Sequence, residues 1–489
     1  MHRQIRSIYG ESLTLLIDLY ELTMAYGYWK LGIAEREAVF HLNFRKKPFN
    51  GAFAVAAGLE TALDFLERFR FSASDLAYLS SLQDSHGQPL FEKAFIEYLG
   101  DFALQCDIDA VPEGTPIFPY EPLLRVQGPI LHAQILESAL LNIINFQTLI
   151  ATKAARICWA ARPDPVVEFG VRRAQGIDGA LSASRAAYIG GCESTSHLLA
   201  GKMYGIPVKG THAHSWIMAF DEELESFYAY SQVLPHNCIF LVDTYDTIAG
   251  VKHAIKAAKR MREKGAEMIG VRLDSGDLTH LSIEIRRLLD EAGFPQAKIM
   301  ASNELDEHLI TDLKHQGAKI NVWGVGTHLV TGKEQPAIDG VYKLSAIRDA
   351  KGQWQRKVKI SEQLAKVTDP GILQVRRYYN GQGYMADMLY DIHTELGAEC
   401  RFVDPFDPTK WVASADGTGY QDLLVPVWRG SKRVYRSPPL EQIRAYASEE
   451  LARFSPAMRR FLYPQPYFVG LEKSLYEMKL QLLTRAHKR

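Results

Sequence analysis

From Val166 to Leu329 the hydrophobic and polar positions repeat one pattern: a short apolar run rich in β-branched residues, a polar cluster at its end, then a stretch with helical spacing. Apolar runs of this length, bounded by turn residues and alternating with amphipathic helices, are the mark of parallel βα units. The runs Val166 to Phe169, Pro207 to Lys209, Ile239 to Asp243, Met268 to Leu273, Lys298 to Ser302 and Ile320 to Trp323 are the expected strands. They recur about every 30 to 40 residues, the size of a βα repeat. Between them, Ile248, Val251, Ile255 and Ala258 form one apolar stripe, opened by Asp246 and Thr247 and closed by Gly265. Leu278, Leu281, Ile285, Leu288 and Leu289 form a second between Asp277 and Gly293, and a third helix is expected from Glu304 to Gln316 before Gly317. The pattern predicts a (β/α) barrel, made irregular by the long, glycine- and serine-rich segment from Asp178 to Gly205.

The flanks read differently. Residues 42–129 and 342–428 alternate short apolar runs with proline and glycine turns, which predicts an α+β domain built from both sides of the barrel. The expected division is 1–136 plus 342–437 for that domain, 137–341 for the barrel, and 438–489 for a C-terminal helical segment. Glu137 to Ala160 reads as one helix entering the barrel, with Leu140, Ile143, Ile144 and Leu149 on its buried side.

Charge narrows the partners. The 489 residues carry 56 Lys plus Arg against 57 Asp plus Glu, so no field of one sign draws the chain to nucleic acid or membrane, and an anionic ligand must be held by a local cluster. The five cysteines are scattered and never spaced as Cys-x-x-Cys, which indicates neither a disulfide framework nor a zinc site and fits a reducing compartment. The stretch from Met1 to Asp18 lacks the apolar core of a secretory signal. No run reaches the roughly 18 uninterrupted apolar residues that a bilayer requires. A cytoplasmic protein is expected.

In a parallel barrel the groups following the C-terminal strand ends converge on one mouth. Here they are Glu168, Arg172 and Arg173; Thr211, His212 and His214; Asp243 and Asp246; Arg272, Asp274 and Asp277; Asn303 and Glu304; and Gly324, Gly326 and Thr327. The arginines can hold a carboxylate or pyrophosphate by forked hydrogen bonds, or simply pair with Glu168 and Asp274. Asp243 and Asp274 are oxygen donors suited to Mg2+, while Asp246 and Asp277 are explained as helix caps. The turn Gly324-Val325-Gly326-Thr327 after a late strand suits a phosphate monoester, although a tight turn needing positive φ explains the glycines equally well. His212 and His214 are either a metal pair, as in hydrolase barrels, or one buried structural histidine and one reactive imidazole. Arg45, Lys46 and Lys47 are a basic run able to reach phosphate groups across a dimer, or a solvated loop.

These residues fall in stretches that resemble a known family. Asp18-Leu-Tyr-Glu-Leu-Thr-Met-Ala-Tyr-Gly-Tyr-Trp29, Phe44-Arg-Lys-Lys-Pro-Phe49, Asn145-Phe-Gln-Thr-Leu-Ile-Ala-Thr-Lys153 and Glu168-Phe-Gly-Val-Arg-Arg-Ala-Gln-Gly176 are similar to nicotinate phosphoribosyltransferase motifs. So are Gly210-Thr-His-Ala-His-Ser-Trp216, Arg272-Leu-Asp-Ser-Gly-Asp277 and Gly324-Val-Gly-Thr-His-Leu-Val-Thr331, and all of them run in family order. The likeness spans Asp18 to Asp404 and fades beyond Pro438.

The resemblance implies a type II phosphoribosyltransferase, an irregular α/β barrel joined to an α+β domain, assembled as a head-to-tail homodimer with shared active sites. It implies that nicotinate displaces pyrophosphate from phosphoribosyl pyrophosphate to give nicotinate mononucleotide for NAD biosynthesis, with Mg2+, and with ATP hydrolysis coupled through a phosphohistidine at His214. Nicotinate contacts are implied for Tyr20, donated by the partner subunit, and for Phe169, Thr211 and Arg272. Phosphoribosyl pyrophosphate contacts are implied for Arg172, Gly324, Gly326 and Thr327, with Asp243 and Asp274 as catalytic acids and metal ligands. The alternatives are a nicotinamide or quinolinate phosphoribosyltransferase and, from another class, a metal-dependent hydrolase barrel.

Overall fold

The computed structural model describes residues 13–363, 366–414 and 417–487, so most of the stretch from Met1 to Asp18 lies outside the described residues. The chain forms two compact units: one of Met1–Thr148, Ala337–Pro439 and Glu449–Arg489, the other of Leu149–Pro336 and Leu440–Ser448.

The second unit is the barrel. Its strands are β1 (Val166–Glu168), β2 (Ser194–Thr195), β3 (Ile239–Leu241), β4 (Gly270–Leu273), β5 (Lys298–Ala301) and β6 (Val322–Val325). They lie in the order β2-β1-β6-β5-β4-β3 with every pairing parallel, which is sequence order read around a ring broken at one seam. Val167, Phe240, Leu241, Val271, Leu273, Ile299, Ala301, Trp323 and Val325 are all buried, as expected of strands covered on both faces.

Pro207 to Lys209, expected as a strand, is reduced to a single parallel bridge between Val208 and Thr195. Proline has no N–H to give a ladder, so the contact rests on Thr195 donating to the Pro207 carbonyl and Lys209 donating to that of Thr195. Its partner β2 is two polar residues, too short to show an apolar run. At the seam a side chain bonds in place of the ladder: the Leu241 N–H donates to His212 Nε2 at 3.3 Å. The imidazole lies among Phe227, Tyr230 and Phe240, and this burial pushes its pKa down to about 4, so the ring is neutral and able to accept.

The helix caps follow the sequence. Asp246 accepts from the Ala249 N–H ahead of Thr247–Glu263, and Asp277 from the His280 N–H ahead of Leu278–Glu291. The third helix starts later than Glu304, at Glu307–His315, because Asp306 caps it and Asn303 turns at φ 118°. Glu307 is buried with Lys153 Nζ and Arg156 Nε each 2.7 Å away, which ties this helix to Glu137–Ala161. Burial pushes the Glu307 carboxyl up, but the two cations outweigh it and hold it below its usual range. By length and composition Ile130–Ala161 passes as a membrane span, yet 67% of its most apolar window is buried inside the protein.

The first unit is α+β. One sheet runs Trp354–Arg356, Gly340–Arg348, Glu37–Phe44, Leu124–Pro129, Asp107–Ala110, Val425–Arg429 and Lys432–Arg433, interleaving strands from both flanks. A second, six-stranded sheet places Gly383–Asp391 beside Phe468–Glu472. The segment after residue 437 is therefore not helical throughout: besides Leu440–Ala452 and Lys473–His487 it contributes an inner strand.

The seam makes a pH prediction. His212 binds a proton less readily folded than unfolded, so its contribution to stability is full above its unfolded pKa and falls as pH drops towards 4. Between about pH 7 and pH 5 the loss is about 2 kcal/mol, and His212→Gln flattens that slope in chemical denaturation curves.

Candidate active site

Arg272, near the C-terminal end of β4, extends towards the rim and donates from Nη1 to Thr211 Oγ1. Burial lowers its pKa, as does Arg172, against the opposing pull of Asp274 and Asp243. Its Nε is buried with no hydrogen-bond partner among the described residues. A buried guanidinium with an open donor is a site for an acceptor, and a carboxylate suits it.

Asp243 follows β3 and Asp274 follows β4, and a network of hydroxyls and amides orients both. Asp243 Oδ2 accepts from the Asp274 N–H at 2.8 Å and from Ser275 Oγ at 2.6 Å. Its Oδ1 is buried and has no partner among the described residues. Asp274 Oδ1 accepts from Ser302 Oγ at 2.5 Å, and its Oδ2 lies 3.7 Å from His214 Nε2. The other imidazole nitrogen of His214, Nδ1, is 3.1 Å from Thr244 Oγ1. His214 thus has one nitrogen positioned by a hydroxyl and one turned towards a carboxylate, on a half-exposed ring.

His212 and His214 do not converge as a metal pair: the first is spent on the Leu241 amide, the second stands at the rim. Glu168 is likewise structural. It accepts from the Gly170 N–H, from Ser184 Oγ at 2.8 Å and from Thr195 Oγ1 at 2.6 Å, fastening β1 to β2 rather than pairing with an arginine. Arg172 and Arg173 are exposed.

The glycine turn owes its composition to close approach, not to positive φ. Gly324 lies in β6 and Gly326 has φ −112°. A Cβ on Gly324 would meet the Phe169 ring at 2.9 Å and Met300 Cε at 2.8 Å, and one on Gly170 would meet Val330 Cγ1 at 2.2 Å. The ring of Phe169 therefore packs against bare backbone. Thr327 donates from Oγ1 to Glu304 Oε1 at 3.2 Å.

In the first unit, Tyr20 sits in the first turn of Leu19–Lys30 and is 44% exposed. Burial of its hydroxyl and the carboxylates Glu137, Glu21 and Asp18 raise its pKa. Lys46 pairs with Asp339 at 3.0 Å, Arg45 donates to the Lys366 carbonyl, and Lys47 is exposed. Sequence reasoning missed Thr244, Ser275 and Ser302, which orient His214, Asp243 and Asp274. Each stands within three residues of the end of a strand, which was the only available signal.

Family models described as the nicotinate phosphoribosyltransferase N-terminal and C-terminal domains match residues 15–145 and 373–479. The chain is 41% identical to the nicotinate phosphoribosyltransferase of Bacillus subtilis, covering 96% of this chain and 95% of that one. It is 36% identical to that of Caenorhabditis elegans, over 95% and 92%. Human nicotinic acid phosphoribosyltransferase has a similar structure, with TM-score 0.84 at 31% identity over 95% of this chain and 99% of that one.

Proposed function

Because the chain belongs to the nicotinate phosphoribosyltransferase family, an enzyme family of NAD biosynthesis, we propose a specific division of labour at the barrel mouth. The pyridine nitrogen of nicotinate attacks ribose C1 of phosphoribosyl pyrophosphate, the C1–N bond forms, and the C1–O bond to pyrophosphate breaks with inversion. The observation that carries this reading is Arg272: a buried cation with an unpaired Nε, aimed where an anionic ring substituent would complete it. Thr211 fixes its guanidinium, and Phe169 offers a ring face to the pyridine. Tyr20 of the partner subunit supplies the opposite face. Thr327, Gly324 and Gly326 receive the 5-phosphate, and Arg172 the pyrophosphate.

Charge separates as C1 becomes oxocarbenium-like, so the leaving pyrophosphate is the group to stabilise. The unpartnered Oδ1 of Asp243, beside Asp274, fits a Mg2+ ion, which when bound would neutralise pyrophosphate oxygens. His214 takes a phosphoryl group from ATP: an N–P bond forms, the bridging P–O bond breaks and ADP leaves, and water later releases phosphate. With Nδ1 held by Thr244, Nε2 is the nitrogen free to attack. Phosphorylation adds about two negative charges next to Asp274, enough to reorganise the rim and so couple ATP to nucleotide formation.

A shared site explains why Leu13, Leu16, Leu19, Tyr20 and Met24 are exposed on one unit and Leu198, Leu199 and Met203 on the other. Exposed apolar groups of this kind mark subunit surfaces, and a homodimer in the cytoplasm is the proposed form.

Incubating the protein with phosphoribosyl pyrophosphate, Mg2+ and nicotinate gives nicotinate mononucleotide, faster with ATP, and nicotinamide in its place reacts far more slowly. His214→Ala loses the ATP stimulation and retains slow uncoupled turnover; an unchanged ATP response in that variant refutes the phosphohistidine. The shared site predicts complementation. Tyr20→Ala and His214→Ala proteins, each lacking ATP-stimulated turnover, are mixed and allowed to exchange subunits, and about a quarter of the sites recover it. If ATP-coupled activity does not return after exchange is verified, Tyr20 serves its own subunit.

A further inference from the structure

The loops beyond β5 and β6 hold a second set of donors that the proposed reaction does not use. Asp306, His328 and Glu334 each offer one atom, and these atoms lie within 4.8 Å of one another. His328 is 8% exposed, and its Nδ1 is buried without a hydrogen-bond partner among the described residues. The nearest carboxylate oxygen, Asp306 Oδ2, stands 3.5 Å away, too far for a hydrogen bond. Asp306 spends its other oxygen on the helix cap, accepting from the N–H groups of His308 and Leu309 at 2.9 and 2.7 Å. Oδ2 is left turned towards the imidazole. Glu334 occupies φ 81°, a conformation glutamate rarely adopts.

We propose that Asp306, His328 and Glu334 form a binding site for a zinc-class divalent cation, with a fourth position left to water. An imidazole nitrogen with two carboxylates is a donor set for Zn2+ and its transition-metal neighbours, whereas Mg2+ prefers oxygen alone. The far side of the ring supports the assignment. His328 Nε2 is 3.2 Å from Glu304 Oε2, so with the metal on Nδ1 the Nε2–H donates to Glu304, the carboxylate–histidine–metal arrangement that fixes tautomer and ring orientation. Lys333 Nζ, now 3.0 Å from Nε2 and 3.2 Å from the same glutamate oxygen, stays with Glu304 when the ring nitrogen carries its proton. Burial and Lys333 hold the His328 pKa below its ordinary value, which keeps the ring neutral and able to ligate. Bonds of about 2 Å require the donors to draw closer, and the exposed Glu334 side chain has the freedom to do so.

The ion would tie the loop after β5 to the turn after β6. Glu304 also accepts from Thr327 Oγ1, so the clamp fixes the glycine turn itself. The site stands on its own donors, whether or not Thr327 binds phosphate.

The test is zinc uptake by the full-length protein, stripped with chelator and dialysed against Zn2+ in excess Mg2+, which keeps the Asp243 and Asp274 pair occupied. Bound zinc is measured by elemental analysis, and Co2+ substitution reports ligand geometry through its visible absorption. The expected result is stoichiometric zinc in the wild type. His328→Gln, Glu334→Gln and Asp306→Asn, the last keeping a cap oxygen, lose it, with folding verified by circular dichroism. Glu304→Gln retains the ion with affinity weakened about 10- to 100-fold. No zinc in the wild type, or undiminished zinc in folded His328→Gln and Glu334→Gln, overturns the proposal.

Discussion

At the rim of the parallel ring, one guanidinium is taken out of bulk water beside two carboxylates and left with a donor unpaired. Burying an ion costs several kcal/mol, and an unmet buried donor adds about 1–3 kcal/mol. Asp274 and Asp243 offset part of that cost, because their charges favour the charged guanidinium. The remaining need of Arg272 is for an acceptor, the place that the proposed function gives to the substrate carboxylate.

Four groups at the rim are each held by a neighbouring hydroxyl: Arg272 by Thr211, His214 by Thr244, Asp243 by Ser275 and Asp274 by Ser302. Groups fixed in this way need little reorganisation when charge develops, which is where catalytic advantage lies. The ring that carries them depends in turn on side chains at two places. His212 bridges the seam where the ladder stops, and Glu307 with Lys153 and Arg156 joins the barrel's helices inside a dry interior.

The barrel was legible because its strands are buried on both faces and its helices begin with capping aspartates, so both period and punctuation survive in the sequence. β2 was not, because two polar residues give no periodicity and are held by Glu168 from another strand. Of the two readings of the Gly324–Gly326 turn, the positive-φ one does not hold. Gly324 and Gly170 make room for Phe169 and Val330, contacts between separate segments that no local spacing encodes. The positions of Arg272, His214, Asp243 and Asp274 could be read from strand ends. The unpaired atoms of Arg272 and Asp243 and the orienting serines and threonines depend on three-dimensional neighbours. The C-terminal strand Phe468–Glu472 was hidden between two obvious helices.

The claim that Arg272 is the acid-selecting group is tested most directly by Arg272→Gln, assayed for kcat/KM with nicotinate and with nicotinamide. The expected result is a loss of about 100-fold or more with nicotinate, as for removing a charged partner worth about 3 kcal/mol, and little change with nicotinamide. Equal losses with both substrates would contradict it, because the arginine would then be supporting the rim without reading the carboxylate.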